Sequence, residues 1–78
     1  MIVNVRLLGR FRDRLPAEQK GRGVVEVSAK AIVNDVLIKL GIEKYPLLFA
    51  INGQHEVSET TALADGDQLT IFEMAAGG

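Results

Sequence analysis

Gln68-Leu69-Thr70-Ile71-Phe72 runs straight into Glu73-Met74-Ala75-Ala76-Gly77-Gly78. The first five residues alternate with the period of a strand, Leu69 and Ile71 inward, Thr70 and Phe72 outward. Beyond Phe72 the alternation stops and small residues lead to Gly-Gly. Fully extended, Glu73 to Gly78 would reach roughly 20 Å at about 3.3–3.6 Å per residue. Glycine has no side chain, so such an end enters a channel too narrow for any other residue. It can carry a carboxylate into another protein's active site while the domain stays outside. Chain ends are also commonly just frayed, so the choice rests on what precedes the tail.

Working outward from that strand, the chain gives one more candidate for the centre of a sheet. In the stretch from Ile2 to Leu8, Val3, Val5 and Leu7 share one face, Asn4, Arg6 and Leu8 the other. This is the pattern of a half-buried strand, and the first and last strands can lie side by side. The polar stretch from Gly9 to Gly23, with Pro16 and Gly21, reads as a loop that Phe11 and Leu15 pin through a short helical turn. Gly23-Val24-Val25-Glu26-Val27 is a second, β-branched strand, antiparallel to the first.

Val33, Val36, Leu37 and Leu40 then fall at i, i+3, i+4 and i+7, one stripe of a helix that ends at Gly41. Asn34, Asp35 and Lys39 face away, and Asp35 precedes Lys39 by four, a favourable surface pair. Ser28 caps an early start, or the helix begins nearer Ile32 with no side-chain cap. Leu47-Leu48-Phe49-Ala50-Ile51 is a strand, Asn52-Gly53 a hairpin turn, and Gln54-His55-Glu56-Val57 a returning strand. Leu63 plugs the core from a short turn, and Asp65-Gly66-Asp67 turns tightly into the last strand. The order is strand-strand-helix-strand-strand-strand. This predicts an α+β fold, a mixed sheet of about five strands with one main helix on one face.

Composition narrows the function. The 78 residues make one domain, and 47% hydrophobic content suffices for a single core. There is no cysteine, which excludes a disulfide, a thiolate metal site or a catalytic thiol in this chain, and fits a reducing cytoplasm. A net charge of -1 gives no electrostatic case for nucleic acid. No apolar run is long enough to span a membrane. Charge is nonetheless uneven: Arg6, Arg10, Arg12, Arg14, Lys20 and Arg22 come early, Glu56, Glu59, Asp65, Asp67 and Glu73 late. The molecule then has a basic and an acidic face, or these are solvated loop charges. There is no Gly-rich phosphate loop, no Ser/His/Asp set and no paired metal ligands, so neither a cofactor-binding nor a metal site is expected.

Several features coincide: the order of elements, the helical stretch from Ala31 to Ile42, Ala50-Ile51-Asn52-Gly53, Leu63-Ala64-Asp65-Gly66-Asp67-Gln68-Leu69, and the final Ala76-Gly77-Gly78. Together these resemble the β-grasp, ubiquitin-like sulfur carriers of the MoaD/ThiS family, over nearly the whole chain. The resemblance implies a β-grasp domain over residues 1–73 and a flexible tail over residues 74–78. It implies a carrier rather than an enzyme: an E1-like adenylating enzyme activates Gly78 with ATP, and sulfur displaces AMP to leave a thiocarboxylate. Gly77 and Gly78 keep the reacting carbonyl open to approach, and the ATP site belongs to the partner.

Within the family, the long polar segment from Gly9 to Gly23 and the run from Val5 to Leu15 resemble the small subunit of molybdopterin synthase. Thiamin-pathway carriers usually have a shorter first hairpin. Glu73-Met74 departs from the molybdopterin branch, where two prolines often precede the tail. The implied role is sulfur donation in molybdopterin (molybdenum cofactor) biosynthesis, with the synthase's large subunit as partner. The alternatives are thiamin thiazole synthesis with a thiazole synthase, a ubiquitin-like modifier joined to lysines through Gly78, and a plain β-grasp interaction module.

Outward parity places Leu8 and Phe72 on the sheet face away from the helix, close together if their strands are neighbours. Apolar residues gathered on one patch point to a partner, although scattered apolar surface residues are also common. In the molybdopterin branch the matching positions contact the large subunit, with His55 at a third and Met74 an added candidate. Arg6 and Arg10 pair with acids on a partner or are solvated.

Overall fold

In the structure, a computed structural model that describes residues 1–9 and 21–73, four strands and one helix follow in the order β1 (Ile2–Leu7), β2 (Arg22–Glu26), α1 (Val33–Leu40), β3 (Leu47–Ile51) and β4 (Gln68–Glu73). The sheet order is β2-β1-β4-β3. The two strands whose alternation is clearest form its centre and run parallel, with Val5 beside Leu69 and Leu7 beside Ile71. The outer pairs, β1 with β2 and β3 with β4, are antiparallel. The chain therefore has the β-grasp arrangement, and Val3, Val5, Leu7, Leu69 and Ile71 are at most 1% exposed.

Helix α1 covers the inner face of this sheet through Val33, Val36 and Leu37. Its start is the uncapped one: Ile32 is the N-cap and offers no acceptor of its own. Asp35 compensates, its Oδ2 accepting the Ile32 N–H at 2.8 Å. That reach back satisfies a donor the helix start leaves open and sets a negative charge at the positive end of the helix. The expected Asp35–Lys39 surface pair is thereby replaced, because Lys39 Nζ donates instead to the Glu26 carbonyl at 2.6 Å. The helix ends on Gly41 at φ 73°, with Gly41 N–H on the Ile38 carbonyl and Ile42 N–H on that of Leu37. This C-terminal motif turns Ile42 back into the core, where it is fully buried.

One expected strand is absent. Asn52 (φ 51°) and Gly53 (φ 85°) form the predicted two-residue turn, which demands positive φ at both positions. The return beyond it is a single bridge between Ile51 and Gln54. Gln54, His55 and Glu56 are all exposed, and Val57 alone packs on the rim of the core. A segment with one apolar residue in four has no face to bury, so pairing ends at the turn. Among the described residues the sheet thus has four strands, close to the expected count of about five.

Leu63 does plug the core, 6% exposed. The 65–67 turn ties the two central strands together: Asp65 Oδ1 accepts the Ile2 N–H at 2.6 Å, and Gly66 N–H donates to the Ile2 carbonyl at 2.7 Å. Asp67 Oδ2 accepts the Ala64 N–H at 2.8 Å, and its Oδ1 takes the Asn52 side-chain amide at 3.0 Å. The expectations for Phe11, Leu15 and Pro16 and for the charges at Arg10, Arg12, Arg14 and Lys20 lie outside the described residues.

Candidate functional site: an apolar patch at the root of the tail

The helix-free face of the sheet gathers three of the expected docking residues, Leu8, His55 and Phe72. Leu8 follows directly on β1, and its N–H donates to the Ile71 carbonyl at 3.0 Å. This sets Leu8 alongside the end of β4, next to Phe72. The His55 ring approaches Phe72 edge-on, with centroids 6.2 Å apart and planes at 69°, within the range of favourable aromatic pairs. His55 arrives there because the Asn52-Gly53 turn folds the chain back, even though no strand follows. Leu8 and His55 are exposed, and Phe72 is half-buried.

Leu48 completes the patch and is not among the residues expected there. It stands directly opposite Phe72 in the β3–β4 ladder and is 42% exposed. The signal is present in the parity of β3: Leu47 and Phe49 are buried, so Leu48 must face out. Three of the patch residues thus come from the ends of β1, β3 and β4, and the fourth from a turn. A rigid sheet holds them, so little conformational entropy is spent in presenting this surface.

Arg6 lies on the same outer face, beside Thr70 of β4 and opposite Arg22 of β2. Among the described residues no cluster of three or more His, Asp or Glu could hold a metal ion. No helix among them is long and apolar enough to cross a membrane. Met74, Gly77 and Gly78 lie outside the described residues; β4 carries the chain as far as Glu73, next to the patch.

The family model described as the ThiS family matches residues 5–78. The chain belongs to the ThiS family. It is thus a member of the ThiS/MoaD type of ubiquitin-like sulfur carriers, which are carrier proteins rather than enzymes. Solved structures similar to this ThiS-family chain share its fold. The putative molybdopterin converting factor subunit 1 of Pyrococcus furiosus aligns with a TM-score of 0.75 at 21% identity, over 96% of this chain and 99% of its own. The small archaeal modifier protein 1 of H. volcanii gives 0.74 at 19% identity, over 95% and 98%. A chain from the complex of subunits 1 and 2 of molybdopterin-converting factor of Helicobacter pylori gives 0.63 at 19% identity, over the whole of both chains. No curated protein sequence matches this one.

Proposed function

We propose that this protein carries sulfur as a thiocarboxylate on Gly78 and donates it in molybdopterin biosynthesis, with residues 1–73 as the docking body and 74–78 as the reaching tail. The observation that carries the proposal is the ThiS-family match, which extends through Gly77 and Gly78 to residue 78. In the first step an E1-like enzyme binds the patch of Leu8, Leu48, His55 and Phe72. The Gly78 carboxylate attacks the α-phosphorus of ATP, pyrophosphate leaves, and an acyl-adenylate forms. Hydrosulfide from a donor then adds through sulfur to the acyl carbon, AMP departs with the mixed-anhydride oxygen, and the S–H proton is lost. A carboxylate is a poor electrophile and its mixed anhydride a good one, so ATP supplies the driving force. The resulting thiocarboxylate is a sulfur nucleophile that needs no cysteine, in keeping with a chain that has none.

The molybdopterin branch is supported by the resemblance of the 9–23 segment to the synthase small subunit and by the fold shared with converting-factor subunits. On this reading a large synthase subunit takes the same face after the adenylating enzyme releases it, and Gly77 and Gly78 thread into its active site. Thiamin thiazole synthesis would use the same tail on a thiazole synthase. The fold shared with a small archaeal modifier supports a second reading, in which Gly78 is joined to a lysine. The two readings share the activation step and differ in product.

The test of the activation step is ATP–pyrophosphate exchange by an E1-like enzyme of this type. The full-length protein should stimulate exchange, and the variant lacking Gly77-Gly78 should not. Phe72→Ala should raise the concentration needed for half-maximal exchange. Equal stimulation by the truncated chain would overturn the assignment of Gly78. A product stable to thiols and heavier by a whole polypeptide would favour the modifier.

A further inference from the structure

Among the described residues strand β2 is an open edge of the sheet, at the opposite side from β3. Its hydrogen-bonding pattern can be read from its ends. Met1 and Val27 exchange both backbone bonds, at 2.6 and 2.9 Å, and Leu7 donates to the Gly21 carbonyl at 2.7 Å. In an antiparallel ladder such pairs alternate with pairs that do not bond. The pairs Ile2↔Glu26, Asn4↔Val24 and Arg6↔Arg22 fall in the second set. Accordingly Ile2 and Asn4 turn their N–H groups the other way, to Asp65 Oδ1 and the Asp67 carbonyl. Arg22, Val24 and Glu26 therefore turn their own N–H and C=O groups to the open edge.

The side chains of these three residues share the helix-free face and are all exposed. Val24, at 61%, is the most exposed large hydrophobic residue of those described. Arg22 stands directly opposite Arg6, and neither guanidinium has an acidic partner among the described residues. Like charges directly opposed across a ladder are unfavourable, so a carboxylate beside Arg22 would be favourable there.

We infer that the β2 edge pairs with the β2 edge of a second copy, antiparallel and centred on Val24. The sequence Arg22-Gly23-Val24-Val25-Glu26 is self-complementary in that register. Val24 meets Val24 of the partner on the two-fold axis, and Arg22 of each copy meets the other copy's Glu26. The three residues whose backbone groups face the edge fall opposite one another as bonded pairs, so register and hydrogen bonding agree. Each Arg22 then lies between Arg6 of its own chain and a carboxylate of the second copy, which offsets the arginine opposition. The Glu26 carbonyl already receives Lys39, but a carbonyl oxygen has two lone pairs and can accept a second bond. Two sheets of four strands become one continuous sheet, and the patch around Phe72 stays open in both copies. A seam between two short strands is smaller than the interface of a permanent dimer, so the association is concentration-dependent. It does not depend on the sulfur reading.

Sedimentation velocity over a concentration series reads this directly. The full-length protein should show a reversible monomer–dimer equilibrium. Arg22→Glu alone and Glu26→Arg alone each place like charges together on both sides of the axis, and should raise the dimer dissociation constant by about tenfold or more. An equimolar mixture of the two single variants should form the mixed dimer, since a carboxylate then faces a guanidinium at both ends of the seam. Circular dichroism establishes that each variant is folded. A wild-type protein monomeric up to the millimolar range overturns the inference. So do single variants that dimerise as well as wild type, or folded variants whose mixture fails to associate.

Discussion

Phe72 sits between two roles, and its position separates them. It is half-buried on the helix-free face, opposite Leu48 and edge-on to His55, while its neighbour Ile71 is fully buried on the other face. Truncating it removes little from the core. We expect Phe72→Ala to cost about 1 kcal/mol of folding stability, the ordinary cost of a point change away from a core. Its affinity for an adenylating partner should fall by about 2 kcal/mol or more, as for a central interface aromatic. Denaturant unfolding and a binding titration on the same sample give both numbers; a loss of stability as large as the loss of binding would make Phe72 a core residue instead. At this scale the sequence is most legible where parity alone decides a side. Leu8 and Phe72 follow from alternation, and Leu48 follows from the same rule applied to β3. The His55 contact with Phe72 depends on where a turn delivers an exposed side chain, which no local pattern encodes.

Among the elements, α1 shows how a weak start is repaired. Ile32 cannot cap, and Asp35 supplies the missing acceptor from the first turn. Asp35→Ala should lower stability by about 1 kcal/mol, the usual cost of losing a cap. Thermal unfolding would measure it, and no change would mean that water satisfies the Ile32 N–H equally well. The apolar stripe and Gly41 are sufficient to find the helix, since they are local and periodic. The return strand expected at residues 54–57 fails because a strong turn does not guarantee the strand after it. The turn does form, but a ladder needs side chains to bury on both sides, and Gln54-His55-Glu56 has none. The Asp35–Lys39 spacing misleads in a similar way. Both side chains find backbone partners, at Ile32 and Glu26, that sequence spacing does not reveal.

At the scale of the molecule, the described residues hold a small core between one helix and a four-stranded sheet, with the two most buried strands parallel at the centre. Such a core has little redundancy. Leu69→Ala, at a fully buried position of β4, should cost about 3 kcal/mol, a large part of what a domain of this size can hold. Urea unfolding should show it as a lower midpoint with an unchanged slope. By contrast, deleting Gly77-Gly78 should leave the urea midpoint unchanged, because the last buried side chain of the described core is Ile71. On the proposed function, stability and activity thus separate: the domain presents the tail, and Gly78 carries the sulfur. The fold is legible because alternation, the helical stripe and turn residues all point to one arrangement. The cargo is legible only through resemblance, since two glycines have no chemistry of their own until a partner acts on them.

The direct measurement is the intact mass of the protein after incubation with an E1-like enzyme, ATP and a sulfur donor. The sulfur carrier should show a gain equal to one oxygen replaced by sulfur, located on Gly78 and absent from the chain lacking Gly77-Gly78. An unchanged mass, with residue 78 present and the enzyme active on another carrier, would contradict that role.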